Sequence, residues 1–213
     1  MDNEKLDDAE KAPENTETNV EETKSFVEQH QLYHDVLDFF RTIFDVVKSI
    51  AVAYIVAWTL TTFVIANAVV PSGSMLNTID IGSRLLGSRL HYKLGFEPKN
   101  GDIVIFKDPD QSDRILIKRC IGVGGDKVEL IPNGDGTGYV LVNGQAIDEP
   151  YLNEPMQVYD YKEYNVPKDC YFFMGDNRND SFDARFWKNT YVKKENLISN
   201  VWFQYWKGFK TFK

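Results

Sequence analysis

The stretch Val69-Val70-Pro71-Ser72-Gly73-Ser74-Met75 separates an apolar segment from the mostly polar remainder of the chain. Two serines flank a glycine, and the proline before them has a restricted φ. Because Gly73 has no Cβ, the backbone there can turn tightly or let another chain approach closely. Such a turn presents one hydroxyl as a nucleophile beside a second hydroxyl and a backbone N–H. Taken alone, the same residues are also typical of an ordinary loop.

The segment before this stretch has the length and composition of a membrane helix. No charged residue occurs from Ser49 to Ile79, and residues 49–70 would extend about 33 Å as a helix. Since a bilayer core is ~30 Å thick, we expect one transmembrane helix, assigned to residues 45–68. Ala66-Asn67-Ala68 also resembles a signal-peptide cleavage site. The apolar run is longer than in most signal peptides and follows an acidic tail, which favours an uncleaved anchor.

The residues before the apolar segment are acidic. Residues 1–47 hold 13 Asp or Glu and 4 Lys or Arg, a net charge of −9, whereas the rest of the chain has a net charge of +1. Residues 1–24 contain almost no large apolar side chain, so we expect them to be disordered. Apolar residues at helical spacing from Phe26 to Val47 predict an amphipathic helix. Residues 1–44 are therefore expected to form a largely disordered tail with a short helix.

Beyond residue 68, short apolar runs separated by turn residues predict a mainly β domain over residues 69–213. Asn143-Gly144 predicts a type I′ turn, and the strands on either side of the glycine-rich run 132–138 are expected to form a hairpin. We expect antiparallel sheets, folded or closed into a barrel, and a solvated terminus at Lys207, Lys210 and Lys213. Strands are predicted at 102–106, 115–123, 128–131, 139–142, 171–174 and 201–206.

Composition argues against several classes of function. No basic patch with interleaved aromatic residues occurs, so no nucleic-acid partner is expected. The three histidines and two cysteines show no spacing typical of a zinc site, so we expect no metal and no cofactor. Cys120 and Cys170 either pair as a disulfide or remain free thiols.

A serine nucleophile needs a base to take its proton. Of the histidines only His91 follows the apolar segment, and it has no acidic neighbour, which disfavours a Ser-His-Asp triad. Lys118 lies in an apolar strand, where alternation places it on one face with Leu116 and Cys120. Its pKa must fall from ~10.4 to about 8 for it to act as a base there, and burial alone can produce that change. A lysine snorkelling from a sheet edge is the alternative reading.

The run from Gly175 to Arg185 holds three aspartates, two arginines and a serine directly after an apolar strand. Such a loop is rich in partners for charge pairing. We expect Asp183 to pair with Arg185, and Ser181 to orient a neutral Lys118 by a hydrogen bond.

These motifs together resemble the bacterial type I signal peptidases, of the single-anchor kind found in Gram-positive bacteria. The resemblance extends over about residues 45–206, with the motifs in the family's order. The family usually has proline where Asn77 and Gly124 stand, which concerns loop rigidity rather than the reaction. The matching motifs are 71–75, Gly101-Asp102-Ile103-Val104, Ile117-Lys118-Arg119 with Gly125-Asp126, and Gly175-Asp176-Asn177-Arg178 with Ser181, Asp183 and Arg185.

The resemblance implies a fold and a set of residue roles. The fold is a mainly β, antiparallel catalytic domain of the signal peptidase type on one N-terminal transmembrane helix. Ser74 is the nucleophile and Lys118 the general base, while the Ser72 hydroxyl and the Ser74 N–H form the oxyanion hole. The supporting residues are Ser181, Asp183, Arg185 and Asp176.

The resemblance also implies a membrane-anchored serine endopeptidase that removes N-terminal signal peptides from exported preproteins. Its partners would be membrane lipid and preproteins with small residues at the cleavage site. It would cross the cell membrane once, with residues 1–44 cytoplasmic and the catalytic domain extracytoplasmic, although the basic residues flanking the span do not fix its orientation. The residues alone leave two alternatives, a Ser-Lys autoprotease and a non-catalytic, membrane-anchored β binding module.

Overall fold

The computed structural model describes residues 15–212. The chain divides into two compact units, residues 1–57 and residues 58–213. A long helix, α1, spans Asn15–Thr59, and a π-helical turn, Leu60–Val64, continues it.

The predicted disordered tail is wrong for residues 15–24, which form the first turns of α1. Starting a helix is unfavourable, whereas extending one adds a hydrogen bond for each residue fixed. The helix predicted from Phe26 onward can therefore propagate toward the N-terminus through a polar segment. The remaining part of the predicted tail, residues 1–14, lies outside the described residues.

The apolar segment is helical and exposed. Within residues 15–212, Phe26–Val64 is the one helical stretch long and apolar enough to cross a membrane, with a mean hydropathy of 1.7 and none of its most apolar window buried. The helix ends at Val64 and not at Ala68, the predicted end of the span. Residues Ile65–Val69 form strand β1 instead and pair antiparallel with Arg84–Ser88, which satisfies their backbone groups.

Residues 65–212 form strands, a short helix α2 (Leu90–Lys93) and three 3₁₀ turns (Gly73–Met75, Arg178–Asp180 and Lys194–Asn196). The strands are β1 Ile65–Val69, β2 Arg84–Ser88, β3 Ile103–Lys107, β4 Ile115–Gly122, β5 Lys127–Pro132, β6 Thr137–Val142, β7 Gln145–Ala146, β8 Met156–Gln157, β9 Lys162–Asn165, β10 Cys170–Met174, β11 Val192–Lys193, β12 Leu197–Trp206 and β13 Lys210–Thr211.

The strands pair antiparallel in two sheets, so the prediction of a mainly antiparallel β fold with one N-terminal apolar helix is confirmed. The larger sheet has the order β1-β2-β12-β3-β4-β10-β11, with β13 paired to β12. The smaller has the order β7-β6-β5-β9, with β8 paired to β6. Asn143 and Gly144 have φ values of 54° and 78°, as the predicted type I′ turn between β6 and β7 requires.

Strand β4 lies between two apolar clusters and is buried from Leu116 to Gly122. Alternate residues of β3 and β4 enter different clusters: Phe106 belongs to the larger one and Ile105 to the smaller one. Directly paired residues of neighbouring strands share a face. Because Lys118 pairs with Val104, which belongs to the larger cluster, the predicted face of Lys118 is confirmed.

The lysines near the C-terminal end and the two cysteines, on which the sequence made predictions, all lie in the second unit. Lys207 and Lys210 are exposed as expected, yet their ammonium groups also donate hydrogen bonds to the carbonyl oxygens of Ile81 (2.6 Å) and Thr78 (3.3 Å). Lys213 lies outside the described residues.

Cys120 and Cys170 are both free thiols, the first buried and the second half-buried.

Candidate active site

The turn that carries the two serines is fixed by the backbone on both sides. Ser72 is extended (φ −131°, ψ 162°) and leads into the 3₁₀ turn Gly73–Met75, whose last side chain is buried. Before the turn, Val70 exchanges backbone hydrogen bonds with the residues 82–83. Asn77 closes the segment at φ 79°, a conformation that a proline ring cannot adopt. The departure from the family's proline therefore coincides with a different backbone conformation at this position.

The 175–185 loop contacts this turn directly. Asn177 donates from its side-chain Nδ2 to the Gly73 carbonyl (3.0 Å) and from its backbone N–H to the Ser74 carbonyl (3.1 Å). A Cβ on Gly175 would overlap both the Ser74 carbonyl oxygen and the Ser181 hydroxyl. Only a glycine at position 175 leaves room for both the Ser74 carbonyl oxygen and the Ser181 hydroxyl beside its backbone.

Lys118 is 3% exposed and its Nζ donates a hydrogen bond to Ser181 Oγ at 3.1 Å. Within residues 15–212 it forms no ion pair. The pKa of Lys118 is lowered to about 8, mainly by burial; Asp183 and Asp176 oppose the shift, and Arg114 and Arg185 contribute to it. The lysine is thus substantially neutral at mildly alkaline pH.

Arg119, the next residue on β4, is paired with a carboxylate. Its Nε and Nη2 donate to the two oxygens of Asp176 at 2.8 and 2.6 Å, and its Nη1 donates to the Gly101 carbonyl at 2.7 Å. The guanidinium also lies over the Tyr151 ring, 3.9 Å from its centroid. Asp176 therefore contacts Arg119 and not Lys118.

The pairing predicted for Asp183 and Arg185 is present. Arg185 Nε and Nη2 donate to the two carboxylate oxygens at 2.8 and 2.9 Å, and the second oxygen also accepts the Gly175 N–H at 3.0 Å. Arg185 Nη2 further donates to the Arg178 carbonyl at 2.6 Å. This pair fixes the backbone at Gly175, next to both serines.

Glu149 contacts the 175–185 loop, a role that the sequence did not predict. Its carboxylate accepts hydrogen bonds from Nη2 and Nη1 of the buried Arg178 at 2.5 and 2.8 Å. Arg178 Nε donates to the Gly175 carbonyl at 3.0 Å. The Tyr151 hydroxyl donates to the same carboxylate at 2.8 Å. Glu149 lies 29 residues from Arg178 in sequence, so no local pattern signals the pairing.

A cavity of about 440 Å³ brings Ser72, Ser74 and Lys118 together. Its walls come mainly from residues 66–71 and from the start of β4, with Arg89 and Arg114 also exposed to it. Ser181 contacts Lys118 but does not line the cavity, and neither do Asp176, Asp183 and Arg185. His91 does not line the cavity, and its ring stacks on Phe96 at 4.8 Å.

A larger cavity of about 700 Å³ lies elsewhere in the same unit and contains none of the predicted site residues. It is lined by Tyr92, Lys93, Lys168, Asp169, Cys170, Lys193, Lys194, Glu195 and Leu197. Because Ser72, Ser74 and Lys118 lie together in the smaller cavity, that cavity is the candidate active site.

The sequence profile described as "Signal peptidase, peptidase S26" matches residues 43–206. The chain is 35% identical over 164 residues to "Probable signal peptidase I-2" of Synechocystis sp., covering 75% of this chain and 71% of that protein. It is 33% identical over 174 residues to "Signal peptidase I" of Bacillus caldolyticus, covering 76% of this chain and 90% of that protein. A crystal structure of a signal peptidase I from Enterococcus faecalis aligns at 29% identity and a TM-score of 0.40, covering 49% of this chain and 96% of that one. By the profile and the sequence identities, the chain belongs to the signal peptidase family, peptidase S26, whose members are serine endopeptidases.

Proposed function

We propose that this chain is a membrane-anchored signal peptidase that cleaves signal peptides from exported preproteins with Ser74 as nucleophile and Lys118 as general base. The observation that carries the proposal is the cavity lined jointly by Ser72, Ser74 and the buried Lys118. The family relationship supports removal of signal peptides as the reaction.

In the acylation step, Ser74 Oγ attacks the carbonyl carbon of the scissile bond while its proton passes to Lys118 Nζ. The carbonyl oxygen becomes an oxyanion, for which the Ser72 hydroxyl and the Ser74 N–H are the donors. Each such donor typically contributes ~3 kcal/mol to the transition state. The tetrahedral species then collapses, and the protonated Lys118 gives its proton to the leaving amine.

Deacylation uses the same groups in reverse. Lys118, neutral again, takes a proton from water, and the resulting hydroxide attacks the ester carbonyl formed with Ser74. Collapse of the second tetrahedral species releases the signal peptide and returns the proton to Ser74 Oγ. The cycle thus needs no group outside this chain apart from substrate and water.

The arginines around the site keep the base available. A carboxylate paired with Lys118 would favour its charged form and raise its pKa. Asp176 is held by Arg119 and Asp183 by Arg185, so neither carboxylate is free to pair with the lysine. Ser181 Oγ accepts a hydrogen bond from Lys118 Nζ and so orients the lone pair of the neutral amine.

The apolar helix supports a single-pass anchor. From the family relationship, we place the catalytic domain on the extracytoplasmic side and the acidic N-terminal segment, residues 1–44, in the cytoplasm. We end the span at Val64 rather than Ala68, because residues 65–69 belong to the β domain. The anchor keeps the protein attached to the membrane, where preproteins with small residues at the cleavage site still carry their apolar segments. Membrane lipid is then the second partner.

The test is cleavage of a preprotein with an Ala-x-Ala site by the full-length protein in neutral detergent micelles. The wild type should cleave it and become labelled by a serine-reactive inhibitor, and Ser74→Ala should do neither. Ser72→Ala should be labelled more slowly, and its kcat should fall ~10²–10³-fold with little change in KM. An unlabelled, inactive wild type would instead indicate a non-catalytic binding module, and activity in Ser74→Ala would exclude Ser74 as the nucleophile.

A further inference from the structure

The cavity that holds Ser74 and Lys118 has a positive end. Besides Lys118, the charged residues among its lining are Arg89 and Arg114, and no carboxylate of residues 15–212 lines it. The other lining residues are apolar apart from Asn67 and the two serines. The proposed reaction uses Lys118 and the serines but leaves the two arginines without a role.

Arg114 is held in place at the entry to β4. Its Nε lies 3.5 Å from the Asp108 carboxylate, which is buried, and its carbonyl accepts the Asp108 N–H at 2.9 Å. The Arg114 side chain is 48% exposed, and within residues 15–212 its two terminal nitrogens make no hydrogen bond. The guanidinium is therefore oriented by one carboxylate and still has donors free for another.

Arg89 is held at the entry to β1. Its backbone N–H donates to the Val64 carbonyl at 2.8 Å and its Nε donates to the Ile65 carbonyl at 3.3 Å. Its terminal nitrogens also make no hydrogen bond within the described residues. Both arginines thus present free N–H groups at the ends of the strands that form the cavity walls.

Both arginines lie on the side of the cavity away from the reactive groups. Arg114 directly precedes strand β4 and lies four residues before Lys118, about 13 Å in extended chain. Arg89 contacts Ile65 at the start of β1, and the chain from Ile65 to Ser72 covers seven residues, at most about 23 Å when extended. An extended substrate with its scissile bond at Ser74 would have its fourth residue from that bond near Arg114, and residues farther out near Arg89.

We propose that Arg114 and Arg89 form a specificity site that selects preproteins with an Asp or Glu side chain about four to seven residues from the scissile bond. The inference rests on the proposed function, since it assumes that the substrate lies in this cavity. A guanidinium with two free N–H donors matches the fork of a carboxylate, whereas a lysine at the same place in the substrate would be repelled.

Arg114 also affects the pKa of Lys118, the proposed general base. Among the charged groups around Lys118, Arg114 and Arg185 lower the pKa of the lysine, and Asp183 and Asp176 raise it. Asp183 and Asp176 are already paired with arginines, but Arg114 is half exposed and open to the substrate. Removing Arg114 should therefore move the acid limb of kcat/KM to higher pH.

The test uses matched preproteins with an unchanged Ala-x-Ala site and Asp, Asn or Lys at one position, three to eight residues from the scissile bond on either side. In neutral detergent at low salt we expect wild-type kcat/KM in the order Asp, Asn, Lys at about the fourth position on one side, with an Asp-to-Lys ratio of about tenfold. Salt near 0.5 M should reduce the ratio, because an exposed pair is screened.

Arg114→Gln should bring that ratio to about threefold or less, and Arg89→Gln should act on positions farther from the bond. Arg84→Gln is the control, since Arg84 is exposed over the Trp206 ring outside the cavity and should leave every ratio unchanged. Equal cleavage of Asp, Asn and Lys substrates, or a preference that survives in both cavity variants, would overturn the inference and leave the proposed function intact. Failure of the wild type to cleave any of these substrates would overturn the proposed function itself.

Discussion

Lys118 and Arg119 are neighbours on one strand and both are buried, yet their surroundings are opposite. Arg119 has a bidentate carboxylate, a backbone carbonyl and an aromatic ring around its guanidinium. Lys118 has one hydroxyl within hydrogen-bonding distance and no carboxylate partner. Since successive residues of a strand face opposite sides, one step along the chain separates a neutralised cation from a desolvated one.

The difference separates a buried charge that is paired and stabilises the fold from one that is unpaired and has a shifted pKa. A paired, hydrogen-bonded charge keeps its charge inside a protein, whereas an unpaired one shifts its pKa toward the neutral form. Arg119 therefore fixes the 175–185 loop through Asp176. Burial destabilises the ammonium form of Lys118 and lowers its pKa to about 8.

The largest expected effect is the loss of activity in Lys118→Arg. A guanidinium stays protonated at any workable pH and cannot take the Ser74 proton, so kcat should fall at least ~10³-fold. Turnover of the Ala-x-Ala preprotein measures it. His91→Ala is the matched control and should keep most of the activity, because His91 lies outside the cavity. Near-normal turnover by Lys118→Arg would show that the base is another group.

Replacing each cation by methionine should change the free energy of unfolding in opposite directions. Arg119→Met leaves the Asp176 carboxylate buried and unpaired, which should cost about 3–5 kcal/mol. Lys118→Met removes an unpaired ammonium, so it should stabilise the domain by about 2 kcal/mol at pH 7, after allowing for the lost bond to Ser181. Denaturant unfolding of the two variants in the same detergent measures both effects.

The pH dependence sharpens this second prediction. The pKa of Lys118 is about 8 in the folded protein and 10.5 ordinarily, so the wild type loses stability as pH falls from 10.5 to about 8 and no further below that. The advantage of Lys118→Met should accordingly be full below pH 8 and vanish above pH 10.5. A Lys118→Met variant less stable than the wild type at pH 7 would contradict a desolvated, unpaired lysine.

A smaller effect is expected for Ser181→Ala. Ser181 positions Lys118 without lining the cavity, so the variant should lose about 10–10²-fold in kcat while Ser74 remains open to inhibitor labelling. The acid limb of its pH profile should also move, because the lysine has lost its one oriented partner. An unchanged profile with lower activity would indicate that Ser181 serves packing alone.

The sequence predicted the site better than it predicted the chain around it. Two local signals indicated the site: the proline and glycine within residues 71–75, and a lysine inside an apolar strand. The structure has a turn and a strand at these expected positions. The partners of Lys118 and Arg119 come from 63 and 57 residues away, respectively. Only the resemblance to a known family placed the 175–185 loop beside strand β4.

The errors of the sequence analysis have physical causes. Residues 65–69 are as apolar as the helix before them, and pairing with β2, which no local pattern reveals, made them a strand. Residues 15–24 are polar but continue a helix already formed. Glu149 has no unusual neighbours in sequence, and its importance comes from Arg178 far along the chain.

The central claim is that Lys118 acts as a neutral amine because the protein buries it without a carboxylate. The most direct measurement is the pH dependence of kcat/KM for the full-length protein on an uncharged Ala-x-Ala substrate in neutral micelles. The account predicts activity that is weak in mild acid and rises with a midpoint near pH 8, with that midpoint unchanged in His91→Ala. A profile that is flat from pH 6 to pH 9, or a midpoint near 6.5 that disappears in His91→Ala, would contradict it.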